Sequence, residues 1–135
     1  MSTVHSTSTS VETNGSGYGV VQTEQGPFLV QAMSAIPYLD GYKIRLQVGN
    51  PGTATMRGAI LHLEWGLRYG DKSKTYTEVT ASRKKKDFDV TTTFDPGAYT
   101  NVDLFLSPAK PEEVKIIDVG LKFNIVVLRK PVNQQ

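Results

Sequence analysis

Four stretches of this chain alternate apolar and polar residues with a period of two, and between them stand Pro, Gly, Asn and Asp. Tyr42, Ile44, Leu46 and Val48 alternate with Lys43, Arg45 and Gln47, while Ala59, Leu61, Leu63, Trp65 and Leu67 alternate with Ile60, His62, Glu64 and Arg68. Phe88, Val90, Thr92 and Phe94 alternate with Asp87, Asp89, Thr91 and Thr93; Ile117, Val119, Leu121, Phe123, Ile125 and Val127 form the longest series. Side chains of an extended strand point alternately to its two faces, so each stretch has one dry and one wet side. No segment carries a helix-length apolar repeat of 3.6, and the chain is therefore read as all-β.

Phe28 to Ile36, Thr75 to Ala81 and Thr100 to Leu106 complete about seven strands. The Thr- and Tyr-rich segment Thr75 to Ala81 reads as an exposed edge. Short strands at near-regular spacing pack most readily as an antiparallel two-sheet sandwich of the immunoglobulin or fibronectin type III kind, with an open barrel as the alternative. A single helical turn is expected at Pro111-Glu112-Glu113, where Pro suits the first helical position.

The turns are read from their chemistry. Asp40-Gly41 supplies positive φ for a tight hairpin. Asn50-Pro51-Gly52 and Pro96-Gly97 each place Pro at the fixed-φ corner of a type II turn and Gly where φ must be positive. Trp65, the only tryptophan, falls on the apolar side of its strand. Tyr99, after Pro96-Gly97, resembles the tyrosine at the corner of immunoglobulin-like sandwiches, but it is out of phase with Val102, Leu104 and Leu106. Asp40, Gly41, Asn50, Pro51, Gly52, Trp65, Pro96, Gly97 and Tyr99 are accordingly the residues expected to define the fold.

A length of 135 residues fits one domain. Residues 1–26 are mostly Ser, Thr, Gly and other polar types, and are expected to form a disordered tether, because so little apolar surface cannot offset backbone ordering. The sandwich is expected over 27–130 and a flexible tail over 131–135.

The same inventory narrows the chemistry. There is no cysteine, which removes thiolate nucleophiles, disulfides and Cys-based zinc sites. His62 has no second histidine at ligand spacing, and no glycine-rich phosphate loop is present. No catalytic residue, metal ligand or cofactor is assigned. A His62/Glu64 dyad is weighed against His62 as an ordinary solvent-facing strand residue, and the latter is preferred. Arg83, Lys84, Lys85 and Lys86 are the candidate electrostatic contact, either for phosphates or for an acidic protein, against a solvated edge that blocks aggregation. A formal net charge of +2 is too small to demand nucleic acid as a partner. A carboxylate-based hydrolase would need two acids held across a groove, and the acidic residues fall in turns and on wet strand faces instead.

The segments Ile36-Pro37-Tyr38-Leu39-Asp40-Gly41-Tyr42-Lys43, Val48-Gly49-Asn50-Pro51, Ala54-Thr55, Leu63-Glu64-Trp65-Gly66 and Pro96-Gly97-Ala98-Tyr99-Thr100-Asn101-Val102 resemble the YajI-type family of uncharacterised bacterial envelope lipoproteins. The resemblance runs from Phe28 to about Leu128. It implies a sandwich domain carried in the cell envelope or periplasm, with no assigned activity and no catalytic residues to transfer. A membrane would be reached only through a lipidated tether, for which this chain holds no cysteine, and its own residues leave a cytoplasmic location open. The expected function is a non-catalytic binding or structural module whose partner is a protein or a cell-wall polymer.

Overall fold

The computed structural model describes residues 8–68 and 74–127, with side chains through Phe123. Residues 1–7, the turn expected at Gly70-Asp71-Lys72-Ser73 and the tail over 131–135 lie outside the described residues. The described strands, in chain order, are β1 (Ser8–Glu12), β2 (Tyr18–Thr23), β3 (Gly26–Tyr38), β4 (Gly41–Gly49), β5 (Thr55–Trp65), β6 (Lys84–Phe94), β7 (Tyr99–Leu106) and β8 (Ile116–Val127). One helix, α1 (Tyr76–Ser82), and a 3-10 turn at Pro111–Glu113 complete the fold.

The strands form two antiparallel four-stranded sheets, ordered β1-β8-β5-β6 and β2-β3-β4-β7. Their inner faces share one core. Phe28, Val30, Ile44, Leu46 and Leu104 come from one sheet, and Leu61, Leu63, Trp65, Val119 and Phe123 from the other. Phe123 packs its ring 4.5 Å from Phe28 and 5.7 Å from Phe94, joining the sheets at one end. Trp65 closes the opposite end, buried and donating from Nε1 to Pro108 O at 3.0 Å.

The sandwich is the architecture expected, with eight described strands instead of seven. The difference lies in the segment read as a tether: β1 pairs with β8 and β2 with β3, burying Val11 and Val21 completely or nearly so. One apolar residue per strand suffices there because the partner strand and opposite sheet supply the remaining surface. Thr23 is also buried; its hydroxyl donates to Gly26 O and accepts from Gln25 N, tying the β2–β3 turn to itself.

Thr75 to Ala81, expected as a strand, is helical. The Thr75 hydroxyl accepts from Glu78 N at 3.0 Å, and the Glu78 carboxylate accepts from Thr75 N at 2.8 Å. This reciprocal cap nucleates α1 and Val79 anchors it in the interior.

Pro37, expected to close the first strand, lies inside β3. It sits beyond Gln31, the last β3 residue paired with β2, and Pro27 sits before Leu29, the first paired with β4. Each proline therefore occupies a stretch with a neighbour on one side only, where the missing N–H is tolerated.

Two turns form by other means than expected. In the β3–β4 hairpin the positive φ (54°) belongs to Leu39, not to Gly41. Gly41 is required for space, since a Cβ there would overlap Leu106 O. Gly52 has no positive φ; instead buried Asn50 organises the β4–β5 turn. Its Nδ2 donates to Ala54 O (2.8 Å) and Phe94 O (3.1 Å), and its Oδ1 accepts from Gly52 N (3.0 Å). Gly97 does take the expected positive φ, 73°, with Ala98 N donating to Asp95 O.

Candidate binding surfaces

The two outer faces differ in chemistry because the two sheets receive different residues on their wet parities. On the face of β1-β8-β5-β6, the pairing register sets Ser10, Asp118, Glu64 and Lys85 in one transverse row and Ser8, Gly120, His62 and Asp87 in the next. Gly120 leaves a gap in that second row. The result is a shallow open pit of 390 Å³ walled by Ser8, Ile60, His62, Asp87 and Lys122.

His62 bridges two strands' worth of carboxylates. Nδ1 meets Asp87 Oδ1 and Nε2 meets Glu64 Oε2 at 3.2 Å. The bond to Asp87 raises the imidazole pKa above its ordinary value; burial opposes it, and the weaker bond to Glu64 adds to the rise. With both nitrogens directed at carboxylates the ring acts as a clamp between them, an arrangement that favours its charged, doubly donating form. The His62/Glu64 pair is thus extended by Asp87, a partner on the neighbouring strand that only the register reveals.

The four basic residues expected to act together are dispersed by strand alternation. Arg83 is the most enclosed; its guanidinium donates to Asp118 Oδ2 at 2.7 Å and lies 3.7 Å from Glu64 Oε1. Lys84 reaches inward to Ser82 O (3.0 Å) and to buried Glu113 (3.2 Å). Lys85 stands on the outer face opposite Glu64, and Lys86 lies 5.1 Å over the Phe88 ring. Burial alone would raise the Asp118 pKa, but the Ser10 hydrogen bond with Arg68 and Arg83 holds it below the ordinary carboxylate value. Arg83 and Lys84 are committed to internal pairs, so the run does not present four free cations side by side.

The face of β2-β3-β4-β7 is different. Among the described residues nine large hydrophobic side chains are exposed, and all but Tyr76 belong to this face or its β3–β4 hairpin. They gather at two ends. Tyr18, Val20 and Tyr99 lie toward one end, with the Tyr99 ring over Gly49, where a Cβ would come within 2.6 Å of Cε1. Ile36, Tyr38, Leu39 and Phe105 lie at the other, with Met33 in a bulge of β3 between the two ends. Between the ends, Arg45 grips Asp103 through two hydrogen bonds of 2.8 and 3.0 Å, and Gln47 stands opposite Asn101. Tyr99 is therefore a surface residue of this sheet and not a corner tyrosine of the core, as its parity indicates.

Alternation alone does not mark these apolar residues as a surface, apart from Phe105, which stands on the wet parity of its strand. No protein-family model and no curated protein matches the chain by sequence. Solved structures do. The trimeric lipoprotein SadB of Salmonella enterica superposes with a TM-score of 0.74 at 20% identity, over 90% of this chain and 64% of that one. This chain thus spans less than two thirds of SadB. The solution structure of the uncharacterized lipoprotein YajI from Escherichia coli superposes with a TM-score of 0.66 at 8% identity, over 93% of this chain and 73% of that one. The fold is shared with these two lipoproteins. The resemblance to YajI-type lipoproteins, read from turn and core residues, holds in three dimensions as an all-β sandwich and extends to the first two strands.

Proposed function

We propose that this domain is a non-catalytic binding module of the bacterial cell envelope, and that it engages a protein through the outer face of β2-β3-β4-β7. The observation that carries this reading is the segregation of exposed hydrophobic side chains onto one of two otherwise equivalent faces. Scattered surface hydrophobics need no explanation, whereas a set confined to one face marks a contact surface. Tyrosine, phenylalanine, methionine and a paired arginine are also the residue types enriched in protein interfaces.

Lipoprotein neighbours support the envelope location. The double engagement of His62 and the commitment of Arg83 and Lys84 to internal pairs favour a binding role over hydrolysis or phosphate contact. The trimeric state of SadB favours a second reading, in which the partner is another copy of the chain.

A photo-crosslinking residue placed at Phe105, and separately at Lys85 on the other sheet, distinguishes these readings in cells. Adducts to a different protein from Phe105 but not from Lys85 are expected. Adducts only between copies support the second reading, and equal labelling from both positions refutes a dedicated face.

A further inference from the structure

The hairpin end of the apolar face combines exposure, backbone strain and an excess of positive charge within a few residues. Leu39 occupies the first position of a two-residue turn with φ 54°, a place that glycine fills without penalty. It is also 89% exposed, the most exposed large hydrophobic residue described. Both properties disfavour leucine in the isolated domain, and nothing inside the fold repays them. Such strain is a marker of function when it persists in an otherwise well-tied turn.

The turn is well tied. Ser107 Oγ donates to Asp40 Oδ1 at 2.6 Å and Ala109 N donates to Asp40 O at 3.2 Å, so the tip is pinned against the chain that follows β7. Beside it, the Tyr38 and Phe105 rings meet at 4.8 Å. Ile36, Lys43 and Phe105 form the adjoining transverse row. Lys43 thus stands between two apolar side chains; the carboxylate that feels its charge, Asp103, is already gripped by Arg45, so two cations share one acid and positive charge is left in excess.

We infer that Ile36, Tyr38, Leu39 and Phe105, with Lys43 at their centre, form a recognition site for a short protein segment that carries an apolar side chain next to a carboxylate. This rests on the reading of the face as a protein-binding surface. Charge complementarity selects the acid: its carboxylate would satisfy Lys43 while its apolar neighbour covers Leu39 and the ring pair. Size selects a segment over a second copy. A stable interface between folded proteins takes about 20–30 residues a side, more than this patch offers. The pinned hairpin lowers the ordering cost that a short ligand must meet.

The test uses the full chain and a displayed library of random 12-residue peptides. Enriched peptides are expected to pair Leu, Phe or Trp with a neighbouring Asp or Glu, and their binding should shift the backbone NMR signals of Ile36, Leu39, Lys43 and Phe105. Leu39→Gly should weaken binding at least tenfold while raising the melting temperature, a combination that loss of folding cannot produce. Lys43→Glu should invert the selected charge from acidic to basic. The inference is overturned by the absence of enriched peptides, by enrichment without acids, or by an unchanged preference in Lys43→Glu. Binding that shifts the Tyr18 and Tyr99 end instead leaves the protein-binding face standing and removes this site. Sedimentation showing self-association that Leu39→Gly abolishes would assign the patch to a second copy and overturn the inference as well.

Discussion

Replacing Asn50 by alanine should be among the most costly single polar substitutions in this domain. Its side chain is buried and holds three segments together: the end of β4 that bears it, the start of β5 through Ala54 O, and the end of β6 through Phe94 O. Alanine removes three hydrogen bonds, each contributing about 1 kcal/mol net, and leaves the buried Phe94 carbonyl without this donor at a further cost of about 1 kcal/mol. Water can replace the bond to exposed Gly52 N, which brings the expected loss to about 3 kcal/mol. For a domain of this size that corresponds to a drop in melting temperature of about 12 °C. Urea denaturation followed by tryptophan fluorescence reads the change directly, because Trp65 is the only tryptophan and is buried. Asn50→Asp provides the decisive control. It keeps the acceptor for Gly52 N but turns a carboxylate toward two carbonyl oxygens, so it should be at least as destabilising as alanine. A loss below about 1 kcal/mol for Asn50→Ala, the size of a single hydrogen bond, or a milder effect for Asn50→Asp, would refute the bridging role.

Gly41→Ala should destabilise by about 3 kcal/mol or more, as its Cβ meets the Leu106 carbonyl and must displace backbone; an unchanged urea midpoint would show that the hairpin has room to give. Val21→Ala should cost about 2 kcal/mol, whereas residues of a disordered tether would tolerate it without effect. Thr75→Ala should cost about 1 kcal/mol by removing the helix cap, measurable in the same urea titration. Because the folded-state pKa of His62 is raised, its stabilisation is complete below the unfolded value near 6.5 and is lost as pH rises through the folded pKa. The stability gap between the native chain and His62→Gln should therefore shrink between pH 6 and pH 9. It should stay below about 1 kcal/mol throughout, since the ring is partly exposed to solvent screening, and a gap that widens with pH would reverse the assignment.

The elements legible in the sequence are those whose own residues declare both faces. Tyr42 to Val48 and Ala59 to Trp65 lie in the middle of their sheets, and their alternation survives because both neighbours are strands. Strands β1 and β2 were hidden because each buries little of its own, Val11 in one case and Val21 and Thr23 in the other; β1 borrows the rest from β8, far away in the chain, and β2 from the adjoining β3 and the opposite sheet. The helix was hidden by composition: Thr and Tyr favour strands, while the deciding signal was the spacing of Thr75 and Glu78. The charged face fared similarly. Glu64 was visible beside His62, but Asp87 and Asp118 join it only through register, and Arg83 is drawn out of its basic run by contacts that strand pairing creates.

The geometry of β1 also has a mechanical consequence. Main-chain bonds from Thr13 to Lys115, from Gly66 to Glu113 and from Ala109 to Asp40 place the end of β1 and the Leu39 hairpin at the same end of the sandwich. Ser8, at the start of β1, points toward the other end, opposite Gly120. A pull between the chain before Ser8 and a partner held at Leu39 therefore runs along β1, and its five paired positions against β8 share the load in shear. A pull between Ser8 and the C-terminal end of β8 would instead peel β1 from β8 one pair at a time, because the start of β1 and the end of β8 face the same end of the sandwich. The antiparallel β1–β8 pairing therefore opposes a load directed along β1 toward the hairpin more strongly than one that separates Ser8 from the end of β8.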